Sequence, residues 1–299
     1  MRCPVCSGDA LRVEHENVFD FEHGTSSASS FARCNACESL VQAPAPSAED
    51  LLRAYPADYR PHTVAHDVRS RAVASLKKIQ AKRLVTSLAQ HLPKDKSARI
   101  LEIGCGAGHF LVALKEAGYT HVEGADMSAA GRSSLDAHGI PFHVLNVDDA
   151  MVEGAFDTIV MLYSIEHVRD PVAVLKRIHE HLAPSGTVVL LTPNPASLSA
   201  QVFSRYWSGI HAPRHVVVVS PKGMTLLANQ AGFACACIPN MDPATWALSF
   251  QNVVTARLLD GHPPHGTAWW TLVGLPLWLA PAVIERSIGR TGSFIAVLS

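Results

Sequence analysis

The sequence predicts an α/β fold, a doubly wound and mostly parallel sheet with a small cysteine-rich module in front of it. Three observations predict it. The stretch Ile100-Leu101-Glu102-Ile103-Gly104-Cys105-Gly106-Ala107-Gly108-His109-Phe110 reads as a short apolar strand, a glycine-rich turn and the start of a helix. A second strand, His121 to Asp126, ends in an acid 22 positions after Gly104, where a parallel α/β domain sets a carboxylate against a ribose. Two CxxC pairs, Cys3/Cys6 and Cys34/Cys37, precede both.

With 299 residues and 48% hydrophobic content, the chain can bury a full-sized core and still carry an accessory module. Lys+Arg at 25 against Asp+Glu at 26 leaves a formal net charge of -1. The overall field does not attract a polyanion, so nucleic acid is not the expected partner. The opening Met1-Arg2-Cys3-Pro4 lacks the apolar run of a secretion signal, which predicts a cytoplasmic protein with reduced thiols. Seven cysteines, an odd number, fit metal binding better than a disulfide framework.

In the first module, residues 1–43, each CxxC pair can turn two sulfurs toward one point. Together they offer Cys3, Cys6, Cys34 and Cys37 as a closed tetrahedral site for zinc. Four thiolates leave no open position for water, so this zinc is expected to be structural. His15 and His23 are then read as surface residues rather than ligands, and the Ser/Gly-rich tract Gly24 to Ser30 as a hairpin tip.

The Pro/Ala break Ala43-Pro44-Ala45-Pro46-Ser47 predicts a linker and short helix over 44–65, before a main domain at 66–299. Ser47-Ala48-Glu49-Asp50 starts that helix and Tyr55-Pro56 ends it. From His66 to His91, Val73, Leu76, Ile79, Leu84, Val85 and Leu88 recur at helical spacing. The basic residues of this helix, Lys77, Lys78 and Lys82 among them, read as a solvated face.

The glycines at 104, 106 and 108 form GxGxG, whereas a dinucleotide-binding GxGxxG would put glycine where His109 stands. A pyrophosphate needs the amides of a helix N-terminus to itself, while a ligand without phosphate needs only room for close approach. Glu102 is an acid within an apolar strand and requires a partner, such as a ligand's ammonium group. Asp126 has acceptors only and suits the two hydroxyls of a ribose. A third strand follows at Pro141 to Leu145 and a fourth at Asp157 to Tyr163. A helix opened by Asp170-Pro171 runs to about Leu182, and Gly186 to Thr192 makes a fifth strand.

Glu102 through Gly108, Asp126, and the run Phe156-Asp157-Thr158-Ile159-Val160 continuing to Glu166-His167-Val168-Arg169-Asp170-Pro171 closely resemble the class I S-adenosylmethionine-dependent methyltransferases. The likeness is to the small-molecule branch related to the ubiquinone-pathway enzymes, over about residues 70 to 240. The first module, through Cys37 followed by Leu40-Val41-Gln42, resembles the cysteine-rich zinc-binding leader of some bacterial methyltransferases. The resemblance implies a seven-stranded, Rossmann-like sheet closed by a hairpin, with strand six at Phe233 to Ile238 and strand seven within 292–298. It implies S-adenosylmethionine as cofactor, with Glu102, Gly104, Cys105, Gly106 and Gly108 at its methionine part, Asp126 at its ribose and Met127 near its adenine. Asn146, Val147 and Asp148 stand where the family contacts the adenine ring, Asp148 being preferred for the exocyclic amine. Tyr163, at the end of the fourth strand, completes the set.

Methyl transfer needs in-line approach and exclusion of water. A base is needed chiefly when a hydroxyl must lose its proton. The candidates are His167 in the Glu-His-Val run, and His211 and His215 in the lid tract Trp207 to His215. Arg214 either pairs with an acidic group of the acceptor or clamps the lid, and both readings stay open.

Residues 241–290 form an apolar insertion before the last strand, with Trp246, Phe250, Trp269, Trp270, Trp278 and the uncharged run Ala268 to Ile284. At about 1.5 Å per residue that run falls short of a ~30 Å bilayer core, and Gly274, Pro276 and Pro281 break it. The stretch 246–284 is therefore read as a lid over a greasy pocket, an element peripheral to a membrane, a dimer contact, or simple packing on the domain. The function expected is methyl transfer to an O or C atom of a small organic acceptor, such as a sugar, a lipid-like molecule or a secondary metabolite. The alternatives are an RNA-modifying methyltransferase, which the balanced charge does not suggest, and a cofactor-binding module without catalysis.

Overall fold

A computed structural model of the chain describes residues 1–24, 28–54, 68–259 and 267–299. The expected helix end at Tyr55-Pro56 and the middle of the Ser/Gly tract lie outside the described residues. The first module is an antiparallel meander of β1 (Leu11–Val18), β2 (Ser29–Cys34) and β3 (Leu40–Gln42). α1 (Ala48–Arg53) follows, started by the Ser47 hydroxyl accepting the Asp50 amide at 3.1 Å. α2 (Val68–Leu88) then leads into the main sheet.

That sheet begins with β4 (Arg99–Ile103), α3 (His109–Glu116), β5 (His121–Asp126), α4 (Arg132–Asp136), β6 (Phe142–Val144) and β7 (Phe156–Leu162). It continues through α5 (Pro171–Glu180), β8 (Leu182–Pro193), α6 (Leu198–Phe203), β9 (Val217–Val218), α7 (Pro221–Gln230) and β10 (Cys235–Asn240). The insertion supplies α8 (Pro243–Leu258), α9 (Trp269–Gly274) and α10 (Leu279–Ser287), and β11 (Ser293–Leu298) ends the chain.

Among the described residues the main sheet has seven strands in the order β10-β11-β8-β7-β4-β5-β6. β11 runs antiparallel to both neighbours, and the remaining ladders are parallel. Parallel ladders require crossovers, and the helices of those crossovers cover both faces of the sheet. On one face Leu88, Phe110, Leu111 and Leu114 pack on Ile100, Val160 and Val189. On the other, Val174, Leu175, Ile178, Met224 and Leu227 pack on Leu101, Ile159 and Met161. Each such leucine, fully removed from water, contributes about 2 kcal/mol before entropy is counted. β8 already pairs at Leu182 with Phe156, earlier than the expected start at Gly186, so α5 stops at Glu180.

The cysteine module is joined to this domain through a shared ladder and a shared core. β3 pairs with β9, Leu40 opposite Val218 and Val41 opposite Val217, so the module's sheet takes its fourth strand from the main domain. Cys3, Val5, Cys34, Cys37 and Val41 lie in the same core as Val217, Met224 and Leu227. His15 and His23, expected at the surface, are buried at 8% and 5% exposure. His15 is covered within the module, opposite Phe31 and beside Glu14 and Arg33, and His23 lies near Arg214 and His211 of the lid.

The insertion packs on the same end. Trp246 and Ala282 join Phe203 of α6, Trp207 and Ile210 of the lid and Val18, Phe31 and Leu40 of the module in one cluster. α9 gives way at Gly274 to a 3-10 turn, Leu275–Trp278, containing Pro276. Among the described residues no helix is long and apolar enough to cross a membrane.

Candidate functional site

Parallel strands end on a common edge, and the turns that leave them leave room there for a ligand. β4, β5 and β7 end together, with Glu102 opposite Gly124 on one side and Val160 on the other. The turn after β4 needs its glycines: Gly104, Gly106 and Gly108 have φ of +76°, +52° and +75°, which L side chains adopt at a cost. A Cβ on Gly104 would stand 2.5 Å from the Ser164 hydroxyl, and one on Gly108 would stand 2.2 Å from Leu135 Cδ2. Ser164 in turn donates to the Ile103 carbonyl at 2.9 Å, fixing the end of β7 against the glycine turn.

A cavity of about 1440 Å³ opens over these strand ends. Pockets for one small molecule measure about 300–1,000 Å³, so this one has room for two ligands side by side. One half is lined by Glu102, Gly104, Cys105, Gly106, Asp126, Met127, Val147, Asp148 and Tyr163, all singled out from the sequence. Gly108 lies just behind, as the residue preceding α3. Asp126 is oriented by two backbone amides, from Gly106 at 2.9 Å and Ser128 at 2.9 Å. A carboxylate offers about four lone-pair sites, the chemistry that two hydroxyl donors require. Glu102 is 3% exposed, and its Oε2 has no hydrogen-bond partner among the described residues. Burial, with the nearby Asp126 charge, holds its carboxyl well above the usual range. A cation entering the cavity satisfies that oxygen and cancels the repulsion.

Other predicted residues have partners within the protein. The Asp148 carboxylate accepts the Arg169 amide at 3.1 Å and the Arg169 Nε at 3.2 Å, and Asn146 accepts the Asp148 amide at 3.1 Å. Tyr163, with φ of +52°, donates its hydroxyl to Asp242 at 3.1 Å. Burial pushes the Cys105 thiol up, so it is held as a protonated wall group.

The second half of the cavity is built from three separated segments: Val18 to Glu22 of the cysteine module, the lid, and α8 with the turn after α9. Arg214 is fully buried and grips Asp20, with its two terminal nitrogens 2.7 and 3.1 Å from the two carboxylate oxygens. It therefore clamps the lid to the module, the second of the two readings left open above. The same Asp20 carboxylate accepts the Glu22 and His23 amides at 3.2 and 3.0 Å, forming the turn that presents Glu22. His167 and His215 each bring Nδ1 to a carbonyl, of Arg214 at 3.0 Å and Gly209 at 2.8 Å. His211 meets Glu22 at 2.7 Å. Sequence reasoning missed Asp20, Glu22 and Asp242, because no local pattern marks them and they reach the cavity only through the fold.

Glu166 lies beneath these histidines, fully buried, accepting the Thr192 hydroxyl at 3.0 Å. Burial raises its carboxyl to about 8 and lowers His167 to about 3 and His215 well below its usual value. At pH 7 and above an unfolded chain's histidines are mostly neutral and its glutamates ionised, while folded Glu166, like Glu102, keeps its proton. The folded state then binds more protons, so stability falls as pH rises from 7 to 8, Glu166 contributing up to about 1.4 kcal/mol per pH unit. Urea denaturation of the ligand-free protein at both pH values checks this, and Glu166→Gln is expected to flatten the dependence.

Away from the cavity, the four predicted cysteine sulfurs converge. Cys3 and Cys37 Sγ are 3.6 Å apart, Cys6 and Cys34 Sγ are 3.5 Å apart, and all four lie within 4.8 Å of one another. A tetrahedral ion with metal–sulfur bonds of ~2.3 Å has sulfur–sulfur edges of about 3.8 Å, so the set has the size and chemistry to hold one.

A family model described as "Methyltransferase domain" matches residues 74–238. The chain is 32% identical over 115 residues to the ubiquinone biosynthesis O-methyltransferase of Xanthomonas campestris pv. campestris, covering 35% of this chain and 48% of that one. It is 31% identical over 104 residues to the protein of the same name from Pseudomonas aeruginosa, covering 32% and 44%. The chain thus spans about half the length of the curated relatives it matches. A solved S-adenosylmethionine-dependent methyltransferase from Mesorhizobium loti aligns over 71% of this chain and 95% of that one, with 18% identity and a TM-score of 0.49.

Proposed function

The chain belongs to the methyltransferase-domain family, and we propose that it transfers a methyl group from S-adenosylmethionine to an oxygen or carbon atom of a small organic acceptor. The observation that carries this reading is the unpartnered, buried Glu102 Oε2 beside a glycine turn and the Asp126 carboxylate. An ammonium group answers the first acid and a ribose diol the second, and the cofactor carries both. In this reading the glycine turn gives close approach, Asp126 holds the ribose, and Leu145 to Asp148 line the adenine end. The cofactor, when bound, supplies an electrophilic methyl on a sulfonium. The chain's part is to align the acceptor and exclude water. The relatives' name, O-methyltransferase, favours oxygen as the accepting atom. The Cys3, Cys6, Cys34 and Cys37 set is read as a structural zinc site, since four thiolates leave no position open.

Titration calorimetry tests the reading. The protein is expected to bind S-adenosylmethionine and not NAD, and Asp126→Ala is expected to weaken binding about 100-fold, two charge-assisted hydrogen bonds being lost. Binding of NAD in place of the sulfonium compound would overturn it, and an unweakened Asp126→Ala protein would remove the ribose assignment.

A further inference from the structure

We propose that the run from α9 through α10 is a docking surface for a lipid bilayer with anionic headgroups, resting in the headgroup boundary without crossing the membrane. A helix on the outside of a protein ordinarily turns its apolar side inward and its charges to water. In α10 that order is reversed. Glu285 is buried, and its two carboxylate oxygens accept the Ser199 amide at 2.7 Å and the Gly292 amide at 3.1 Å. Leu279, Val283 and Ile284 of the same helix, with Ile288 just after it, lie on the side away from the buried Ala282 and Glu285.

The exposure on that side is large. Val283 and Ile284 are each 54% exposed, and Val273 of α9 and Leu277 of the 3-10 turn reach 72% and 78%. Scattered apolar residues at a surface are ordinary, but these share three short elements that pack on one another, and such a patch marks a site of interaction. The run lies beyond residues 74–238, which match the methyltransferase family, so the face is an addition to the part of the chain that matches.

The charges identify what covers it. Within residues 267–298 the charged side chains are Glu285, Arg286 and Arg290. With the acid buried, the run presents cations alone. Arg286 is exposed, and Arg290 donates to the Ala196 carbonyl at 3.1 and 3.0 Å, a neutral acceptor that leaves its charge uncancelled. An apolar face edged by cations complements an anionic headgroup layer over acyl chains. A second copy of this chain fits less well. In a two-fold contact the face meets itself, and its arginines would meet arginines with no exposed acid of the run to answer them. Gly274 and Pro276 break the run into short elements, which suits an element lying in the interface plane. The same run lines the cavity through Leu272, Leu275, Pro276 and Leu279, so docking sets the acceptor half of the cavity beside the headgroups.

The test uses the full chain, without cofactor, and so is independent of the methyl-transfer reading. Vesicles of phosphatidylcholine alone are compared with vesicles of equal parts phosphatidylcholine and phosphatidylglycerol. The wild-type protein is expected to co-sediment with the mixed vesicles, and to partition about 10-fold less onto phosphatidylcholine alone or onto mixed vesicles at high salt. Leu277→Glu combined with Val283→Glu is expected to lower partitioning onto the mixed vesicles by at least about 10-fold. Arg286→Glu is expected to lower it on the mixed vesicles and leave phosphatidylcholine unchanged. These side chains are exposed, so an unchanged Tm is expected to show that the variants keep their fold. Wild-type protein that stays in solution with the mixed vesicles, equal partitioning onto both vesicle types, or a double glutamate variant that binds as well as wild type overturns the proposal. A lipid-free dimer that the double variant dissociates makes a second copy the occupant and overturns it as well.

Discussion

Asp20→Ala is expected to lower the free energy of unfolding by about 3–5 kcal/mol, a large share of the roughly 5–15 kcal/mol that holds a domain together. Arg214 is fully exposed to no solvent, and its guanidinium cannot shed its proton. Its acceptors include the two Asp20 oxygens at 2.7 and 3.1 Å, the Ala54 carbonyl at 2.8 Å and His211 Nε2 at 3.1 Å. Alanine at position 20 leaves a buried cation with only neutral acceptors among these. Replacing both charges, as Asp20→Leu with Arg214→Met, is expected to recover most of the loss, because no unpaired charge remains. Urea denaturation of the three proteins measures it. A loss below about 1 kcal/mol for the single variant would show that water reaches the pair and that the clamp is weak.

Removal of the zinc proposed for the four cysteines, by chelation or by Cys34→Ser, is expected to cost more. Apparent binding energies of structural zinc in small fingers are about 10–16 kcal/mol, and that energy is folding energy. Here β3 and the cysteines share a ladder and a core with the main domain. Part of the module's order therefore survives, and a fall in Tm on the order of 10 °C is expected. The second consequence is selective. The glycine turn, Glu102 and Asp126 stand on β4 and β5, whereas Val18 to Glu22 form the opposite wall. Cofactor affinity is expected to stay near that of the intact protein while turnover of the acceptor is lost. Elemental analysis showing no zinc per chain, or an unchanged Tm after chelation, would contradict it.

How much was legible in the sequence follows from how local each signal is. The strand, glycine turn and helix at 100–110 were readable because apolar residues, three glycines and the following helix occupy eleven consecutive positions. The start of α5, Pro171–Glu180, was readable from its Asp-Pro cap. Cys3, Cys6, Cys34 and Cys37 were readable as one set because the CxxC knuckle is a local geometry repeated twice. His15 and His23 were misread as surface residues: His15 is buried opposite Phe31 across the β1–β2 ladder, and His23 near Arg214 and His211, about 190 residues later in the chain. The pairings Asp20 with Arg214 and Glu22 with His211 join segments just as distant.

The sequence by itself determined the sheet, the glycine turn, the acids at 102 and 126, and the cysteine set, because each rests on periodicity or spacing within one short segment. Only the tertiary structure decided that the cysteine module is a wall of the cavity, that Arg214 is a clamp, and that His211 stands beside Glu22. Those outcomes depend on β9 completing the module's sheet and on which side chains that docking buries together. Burial and pairing between remote segments arise from packing, and no local pattern of residues encodes them.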